Sequence, residues 1–353
     1  MAITLKDVAA AAGVSRSTAS RALSGSPLIS PETRLAVEEA AGRLGYRLNR
    51  AASALRSKQS HVVGLVLNNL INASFHTIAE VVQRRAADEG YQVMLCITDA
   101  DPRREESFLQ TLAAYGVDGL IVIGTGKNAA TTNALLTEGI GVVNVIRAAT
   151  ESAAPSVLAS DREGAHAATS HLLDLGHERI GFIGGLPTAN SGRERFAGYE
   201  TALRERGLQV DESLVERGPF DPAFGAEAVE RLLRRDRRMT ALFAANHEAV
   251  FGVLPTLVSA GVEVPRQLSL VCYEDIPWLR WWQPSVTVVD NGARELGELA
   301  MDLLLQQIER ADRSPVSDGS GRTGRAYRVG AQLVVRSSST KPGEQAPNRP
   351  AAG

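Results

Sequence analysis

The sequence predicts an α/β protein in three parts. A three-helix, helix-turn-helix head-piece comes first, a short hinge helix follows, and a large sensor of two doubly wound α/β halves makes up the rest. Two observations carry this. The first 48 residues hold short helical patterns punctuated by caps and glycines, whereas apolar strand-like runs alternate with amphipathic helices from residue 61 onward. Charge divides at the same place. Residues 1–60 carry nine basic and four acidic side chains, a net of +5, while the remainder carries 29 basic and 36 acidic, a net of −7. The whole-chain value of −2 conceals a basic head on an acidic body, a distribution suited to a polyanionic partner.

Each mark of punctuation in the head has a physical reason. Thr4-x-x-Asp7 is a capping-box variant, and Leu5, Val8, Ala9 and Ala12 recur at helical spacing behind it. Gly13 supplies the positive φ that ends this helix, and Ser15 is placed to cap the next. Ala19, Ala22 and Leu23 then point inward, which leaves Arg16, Ser17, Ser20 and Arg21 on the outer face. Ser30-Pro31 opens a third helix whose Leu35, Val37, Ala40, Ala41 and Leu44 are expected to close a small core, and Gly45 stops it. Two helices joined by a tight turn allow the second to enter a DNA major groove.

Residues 49–60 follow as a hinge. Ala51, Ala52, Ala54 and Leu55 stand among Arg50, Arg56 and Lys58, too few residues to hold a helix alone in water. The segment reads either as a plain linker or as a helix that forms only on DNA.

In the sensor, runs at 62–67, 92–97, 119–123 and 141–145 are expected strands, with helices at about 76–89, 103–115 and 128–138 between them. A second series at 180–183, 214–217, 241–244 and 268–272 repeats the pattern. Each interval is long enough for a right-handed crossover, so both sets predict parallel, helix-covered sheets, with ligands beyond the carboxyl ends of the strands. Cys96 and Cys272 lie in apolar runs without metal spacing, and the six histidines form no H-x-x-x-H pair. Gly184-Gly185 lacks a dinucleotide fingerprint, Gly124–Lys127 lacks full P-loop spacing, and no nucleophile elbow occurs. No enzyme activity, cofactor or metal is expected. No leader-type apolar segment or membrane-length run stands out, so a cytoplasmic, nucleoid-associated location and no membrane partner are expected. The stretch 337–353, rich in Ser, Pro and Gly, is expected to be a disordered tail.

The quoted head residues, with Leu5-Lys6-Asp7-Val8-Ala9, Ala12-Gly13-Val14-Ser15, Thr18-Ala19-Ser20-Arg21, Leu44-Gly45-Tyr46 and Asn49-Arg50-Ala51-Ala52 intact, resemble the head-piece of the lactose-repressor (LacI/GalR) family of bacterial transcription regulators. The resemblance continues to about residue 336. It implies a head-piece at 1–48, a hinge at 49–60 and a periplasmic-binding-protein type I-like domain at 61–336. The chain would cross between the two halves near 160, 290 and 320.

It also implies a repressor that binds a pseudo-palindromic, double-stranded operator as a homodimer or tetramer. Arg16 and Ser17 match the family's variable base-reading pair, and Arg21 a base-contacting arginine; arginine favours guanine. Thr4, Ser15 and Ser20 either cap helices or hold phosphates. Asn49, Arg50, Ala52 and Leu55 match the hinge contacts, with Leu55 at the position that wedges into the minor groove.

For the effector, the resemblance points to Ser74 and Phe75 after the first strand, to Asp161, to Ser191 and Arg195, to Phe220, to Asn246 and to Glu274. Four positions depart from the family pattern: Ala73 replaces a proline, Ser74 an aromatic, His247 the second residue of an Asn-Asp pair, and Glu274 an aspartate. An arginine, an asparagine, carboxylates and aromatic faces suit a polyhydroxylated, sugar-like small molecule. Phe75 and Phe220 read equally as core aromatics, Arg195 as a surface cation, and the cluster Trp278, Trp281 and Trp282 as stacking surface or subdomain packing. A solute-binding or sugar-modifying protein of the same fold is the alternative, disfavoured by the DNA-reading head and the missing catalytic motifs.

Overall fold

The computed structural model describes residues 3–23, 26, 28–46, 59–147, 151–313 and 324–343. Contacts divide the chain into two compact units, Met1–Ser60 and His61–Gly353. The hinge residues Asn49, Arg50, Ala52 and Leu55 lie outside the described residues.

The first unit contains α1 (Leu5–Ala11), α2 (Arg16–Leu23) and α3 (Pro31–Leu44). The Asp7 carboxylate accepts the Thr4 N–H at 2.8 Å and the Thr4 hydroxyl at 2.7 Å, which fixes the start of α1. Gly13 turns the chain at φ 68°, and Ser15 Oγ accepts the Thr18 N–H at 3.1 Å to open α2. Ser30 caps α3 in the same way through Thr33, and Gly45 ends it at φ 65°. The core is small: Val8, Ala9, Ala19, Ala22, Val37, Ala40 and Ala41, edged by Leu5, Leu23 and Leu44. Leu35, expected inside, is 58% exposed. The inward stripe of α3 runs through 37, 40, 41 and 44, and a residue two positions before Val37 faces the opposite side.

The second unit contains two six-stranded sheets among the described residues. The first takes β1 (Val62–Leu67), β2 (Gln92–Ile97), β3 (Gly119–Ile123), β4 (Gly141–Val145) and β5 (Ser156–Ala159) in the order 2-1-3-4-5, all parallel. Its crossover helices are α4 (Ala73–Asp88), α5 (Pro102–Ala114) and α6 (Ala129–Thr137). After α7 (Asp161–Asp174) the second sheet repeats the plan with β6 (Ile180–Gly185), β7 (Val215–Gly218), β8 (Ala241–Ala244), β9 (Ser269–Tyr273) and β10 (Thr287–Asp290). Its helices are α8 (Asn190–Glu205), α9 (Pro222–Arg235), α10 (His247–Ser259) and α11 (Pro277–Trp281). Central strands such as β3 and β9 are buried on both faces, as continuous apolar runs require. Gly198 lets α8 lie directly on α7, because a Cβ there would collide with the Arg162 carbonyl.

The chain crosses from the first half to the second after β5, and back after β10. There α12 (Ala293–Arg313) covers the first sheet, its Gln307 side chain bonding both the N–H and the carbonyl of Val142 at 3.1 Å. The last crossing lies later than the expected 320. β11 (Ala326–Val329) extends the first sheet beside β5, and β12 (Gln332–Val334) joins the second antiparallel to β10, so the switch occurs at Gly330-Ala331. The tail is corrected as well. Residues 337–343 are ordered, because Ser338 is fully buried and exchanges backbone and side-chain bonds with Leu270 and Thr287. Residues 344–353 lie outside the described residues. Among the described residues no helix is long and apolar enough to cross a membrane.

Candidate functional site

On the head unit, Arg16, Ser17, Ser20 and Arg21 line one shallow surface together with Leu5. Arg16, Ser17 and Arg21 are exposed and Ser20 is half-buried, because Ala19 and Ala22 turn the opposite face of α2 into the core. Ser15 is occupied by its capping bond and by contacts with the hydroxyls of Ser17 at 2.8 Å and Thr18 at 2.9 Å. Thr4 is likewise engaged with Asp7. Both therefore sit at helix starts, while the four α2 residues offer donors and acceptors outward.

In the second unit a cleft of about 500 Å³ lies at the carboxyl ends of strands from both sheets. Asn68, Asn69 and Asn72 come from the β1–α4 loop and Phe75 from the first turn of α4, Thr125 and Lys127 follow β3, and Ile146 and Arg147 follow β4. The other half supplies Ser191 and Arg195 from α8, Phe220 after β7, Asn246 and Glu248 after β8, and Glu274 after β9. This is where parallel α/β folds gather ligands. Three non-glycine cleft residues hold positive φ, Ala100 at 57°, Ile146 at 65° and Glu274 at 79°. A β-branched residue in that region is strained, and such strain concentrates at functional sites.

Arg195 is the centre of the second half's wall. It is buried, its Nε donates to Asp161 at 2.7 Å, Nη1 donates to the Ala245 carbonyl at 2.7 Å, and Glu274 lies 3.5 Å from Nη2. The guanidinium lies 3.8 Å from the Tyr273 ring centroid and 6.0 Å from that of Phe220. Burial works against its charge, but Asp161 and Glu274 outweigh that and hold it protonated above the usual arginine range.

Glu274 and His247 explain each other. The His247 ring is fully buried, and its Nε2 accepts the Ala73 N–H at 3.3 Å, which leaves Nδ1 to donate to Glu274 in a short bond. Burial alone would raise the Glu274 carboxyl, yet His247 and Arg195 bring it below the ordinary range. The two departures from the family pattern at 247 and 274 are thus one pair, the longer carboxylate reaching the imidazole. His247 also ties the halves together, as do Asn72, whose amide donates to Glu248 at 2.8 Å, and Asn291, which donates to Ser74 at 2.9 Å.

Of the eight expected effector contacts, Phe75, Ser191, Arg195, Phe220, Asn246 and Glu274 line the cleft. Ser74 and Asp161 stand behind it. Ser74 Oγ is taken by Asn291, and Asp161 is covered by the arginine it anchors. Phe75 serves both readings, buried in the first core and at the cleft wall. The tryptophans do not line the cleft: Trp278 stacks on Phe251 at 5.0 Å and meets Trp282 edge-on, while Trp281 is 76% exposed. Asn68, Lys127, Arg147 and Glu248 were not anticipated. Their signal was present only as single polar residues just past strand ends.

Comparison with known proteins settles the family. Residues 4–49 match the family described as bacterial regulatory proteins, lacI family, and residues 169–339 match a periplasmic binding protein-like domain. The HTH-type transcriptional repressor PurR of Haemophilus influenzae (strain PittEE) is 31% identical over 310 residues, 88% of this chain and 92% of that protein. The chain belongs to the lacI family of bacterial regulatory proteins. Catabolite control protein A of Priestia megaterium is 30% identical over 88% of the chain and 94% of its own length. Among solved structures of the family, the lac repressor dimer bound to operator and the anti-inducer ONPF aligns with a TM-score of 0.80 at 25% identity, covering 96% of this chain and 100% of that one. The transcriptional regulator CelR in complex with cellobiose aligns at 0.71 and 28% identity over the same shares. As a lacI-family protein, the chain is a DNA-binding transcriptional regulator with a ligand-binding α/β domain, and its relatives are regulators, not catalysts.

Proposed function

We propose that this regulator is a repressor that binds a two-fold operator as a homodimer. A small polyhydroxylated effector in the cleft changes its DNA affinity. Arg16, Ser17, Ser20 and Arg21 would read or hold DNA from α2, with Thr4 and Ser15 placing helix starts against phosphates; Asn49, Arg50, Ala52 and Leu55 would act as the hinge contacts. Head-piece 1–48, hinge 49–60 and sensor from 61 onward are the working parts, acting in the cytoplasm. One reader of this size is too weak to specify a genomic site, which favours two copies on one operator.

The observation that carries the effector reading is the convergence of Arg195, Asn246, Glu274, Ser191 and Phe220 on one cleft whose walls belong to two halves. Charged acceptors and donors match sugar hydroxyls, and an aromatic face covers an apolar ring face. Coupling requires a ligand that binds two arrangements of the protein unequally, at about 1–3 kcal/mol. The test is a mobility shift with DNA from upstream of the gene, with and without sugars that raise the protein's melting temperature. A two-fold complex altered by such a sugar is expected. A monomer that ignores the DNA would overturn the repressor reading, and a ligand that leaves DNA affinity unchanged would overturn the coupling.

A further inference from the structure

The two walls of the cleft differ in their hydrogen-bonding state. In the second half nearly every charge is matched: Arg195 with Asp161 and Glu274, and Glu274 with His247. The first half presents donors that nothing takes. The buried Nε of Arg147 has no hydrogen-bond partner, and among the described residues its guanidinium forms no ion pair. The Asn68 amide is 2% exposed, its Oδ1 accepts the Thr98 hydroxyl at 3.2 Å, and its Nδ2 has no partner. Lys127 adds a third donor, exposed at the cleft mouth.

The acids nearest Arg147 are already committed elsewhere. Glu248 accepts from Asn72 at 2.8 Å, and Glu105 from the Thr125 N–H at 2.6 Å. Their fields partly support the Arg147 charge, but burial, with Arg195 adding to it, pushes its protonation downward. Arg147 is half-buried with its Nε shielded from solvent, and a shielded donor without an acceptor is costly unless a ligand completes it. All three groups are donors, so the complement is a group made only of acceptors. Ile146, immediately before Arg147, is held at φ 65° in a tight turn closed by the Arg147 N–H on the Val145 carbonyl at 2.7 Å, and both residues line the cleft.

We infer that the effector is an anionic polyol, its carboxylate or phosphate seated on Arg147 with Asn68 and Lys127 while its hydroxyls face Arg195, Asn246 and Glu274. This rests on the reading of the cleft as the effector site. A planar guanidinium takes either oxyanion bidentately, so a sugar acid and a sugar phosphate present the same chemistry here.

The experiment is calorimetric titration of the full-length protein with matched trios: glucose, gluconate and glucose 6-phosphate; ribose, ribonate and ribose 5-phosphate. One or both anionic members are expected to bind at least tenfold tighter than the neutral sugar, and which of the two binds separates carboxylate from phosphate. Arg147→Gln should erase that preference, and Asn68→Asp should weaken the anion while sparing the neutral sugar. Ligand-free Arg147→Gln should melt no lower than the parent, because it removes an uncompensated charge. A variant that melts several degrees lower would make Arg147 structural and overturn the assignment. Equal binding of neutral and anionic sugars, unaffected by Arg147→Gln, overturns the anion site and leaves the cleft reading intact. No binding by any of the six overturns both.

Discussion

Arg195 and Asp161 show how one residue can serve both the fold and the ligand. Each is nearly inaccessible, and their 2.7 Å contact is what allows either charge to be buried. Arg195→Met would strand Asp161, whose carboxyl burial already pushes upward, and should cost about 3–5 kcal/mol of stability along with the ligand response. Adding Asp161→Asn should recover most of the stability in urea unfolding and none of the ligand binding. Recovery of both would remove Arg195 from the site. The same pair marks the limit of what sequence reveals at this scale. Family spacing gave Arg195 and Asp161 the same rank, since a motif does not say which of two paired residues lines the cleft and which stands behind it. Arg147 was invisible for the opposite reason: a lone arginine after a strand has no periodicity, and only its unpartnered state in three dimensions singles it out.

Among the elements, most strands of the two sheets were legible and four short ones were not. β1 to β4 and β8 begin and end where their apolar runs do; β1, β3, β4 and β8 are central parallel strands covered on both faces, whereas β2 is an edge strand with Met94 and Leu95 exposed. β5, β10, β11 and β12 have three or four residues each and, unlike β8, mix polar with apolar side chains, which leaves too little pattern to separate strand from loop. The final segment was misread because Ser-rich composition says nothing of a tertiary anchor. That anchor is His177, 2% exposed, with Nε2 2.8 Å from the Thr340 carbonyl and Nδ1 2.9 Å from the Thr240 hydroxyl. His171 meets Ser339 beside it. Burial lowers both imidazoles below their usual range, so the unfolded chain binds more protons than the folded one as pH falls. Their stabilising contribution is therefore whole above the unfolded value of about 6.5 and declines as pH drops below it. Urea midpoints at pH 7.5 and 5.5 should fall toward the lower pH, and His177→Gln should be less stable at pH 7.5 but flatter across the interval. An unchanged slope would show that His177 is not the group responsible.

At the scale of the whole molecule, the two units carry charges of opposite sense, and this sets how the regulator meets DNA. The net-acidic body adds no overall attraction to a polyanion, so affinity should rest on the basic residues of positions 1–60 and, in the proposed homodimer, on their doubling. Each phosphate neutralised adds about 0.9 to the slope of log affinity against log salt, so two heads should give a steep slope and a single head half of it. Removing an α2 guanidinium has a different signature from removing a hinge leucine. Arg16→Ala should change which base pairs are preferred within each half-site, since arginine reads guanine edges and its loss costs about 1–3 kcal/mol at that position only. Leu55→Ala removes no charge and, in the wedge role, should weaken operator binding at least tenfold while leaving the salt slope and the melting temperature unchanged, because prying apart a base step is lost but no phosphate contact is. Affinities of the two variants measured at several salt concentrations, on the operator and on scrambled DNA, separate these cases. A Leu55→Ala protein that loses affinity equally on both DNAs would make the leucine a general contact and end the wedge interpretation.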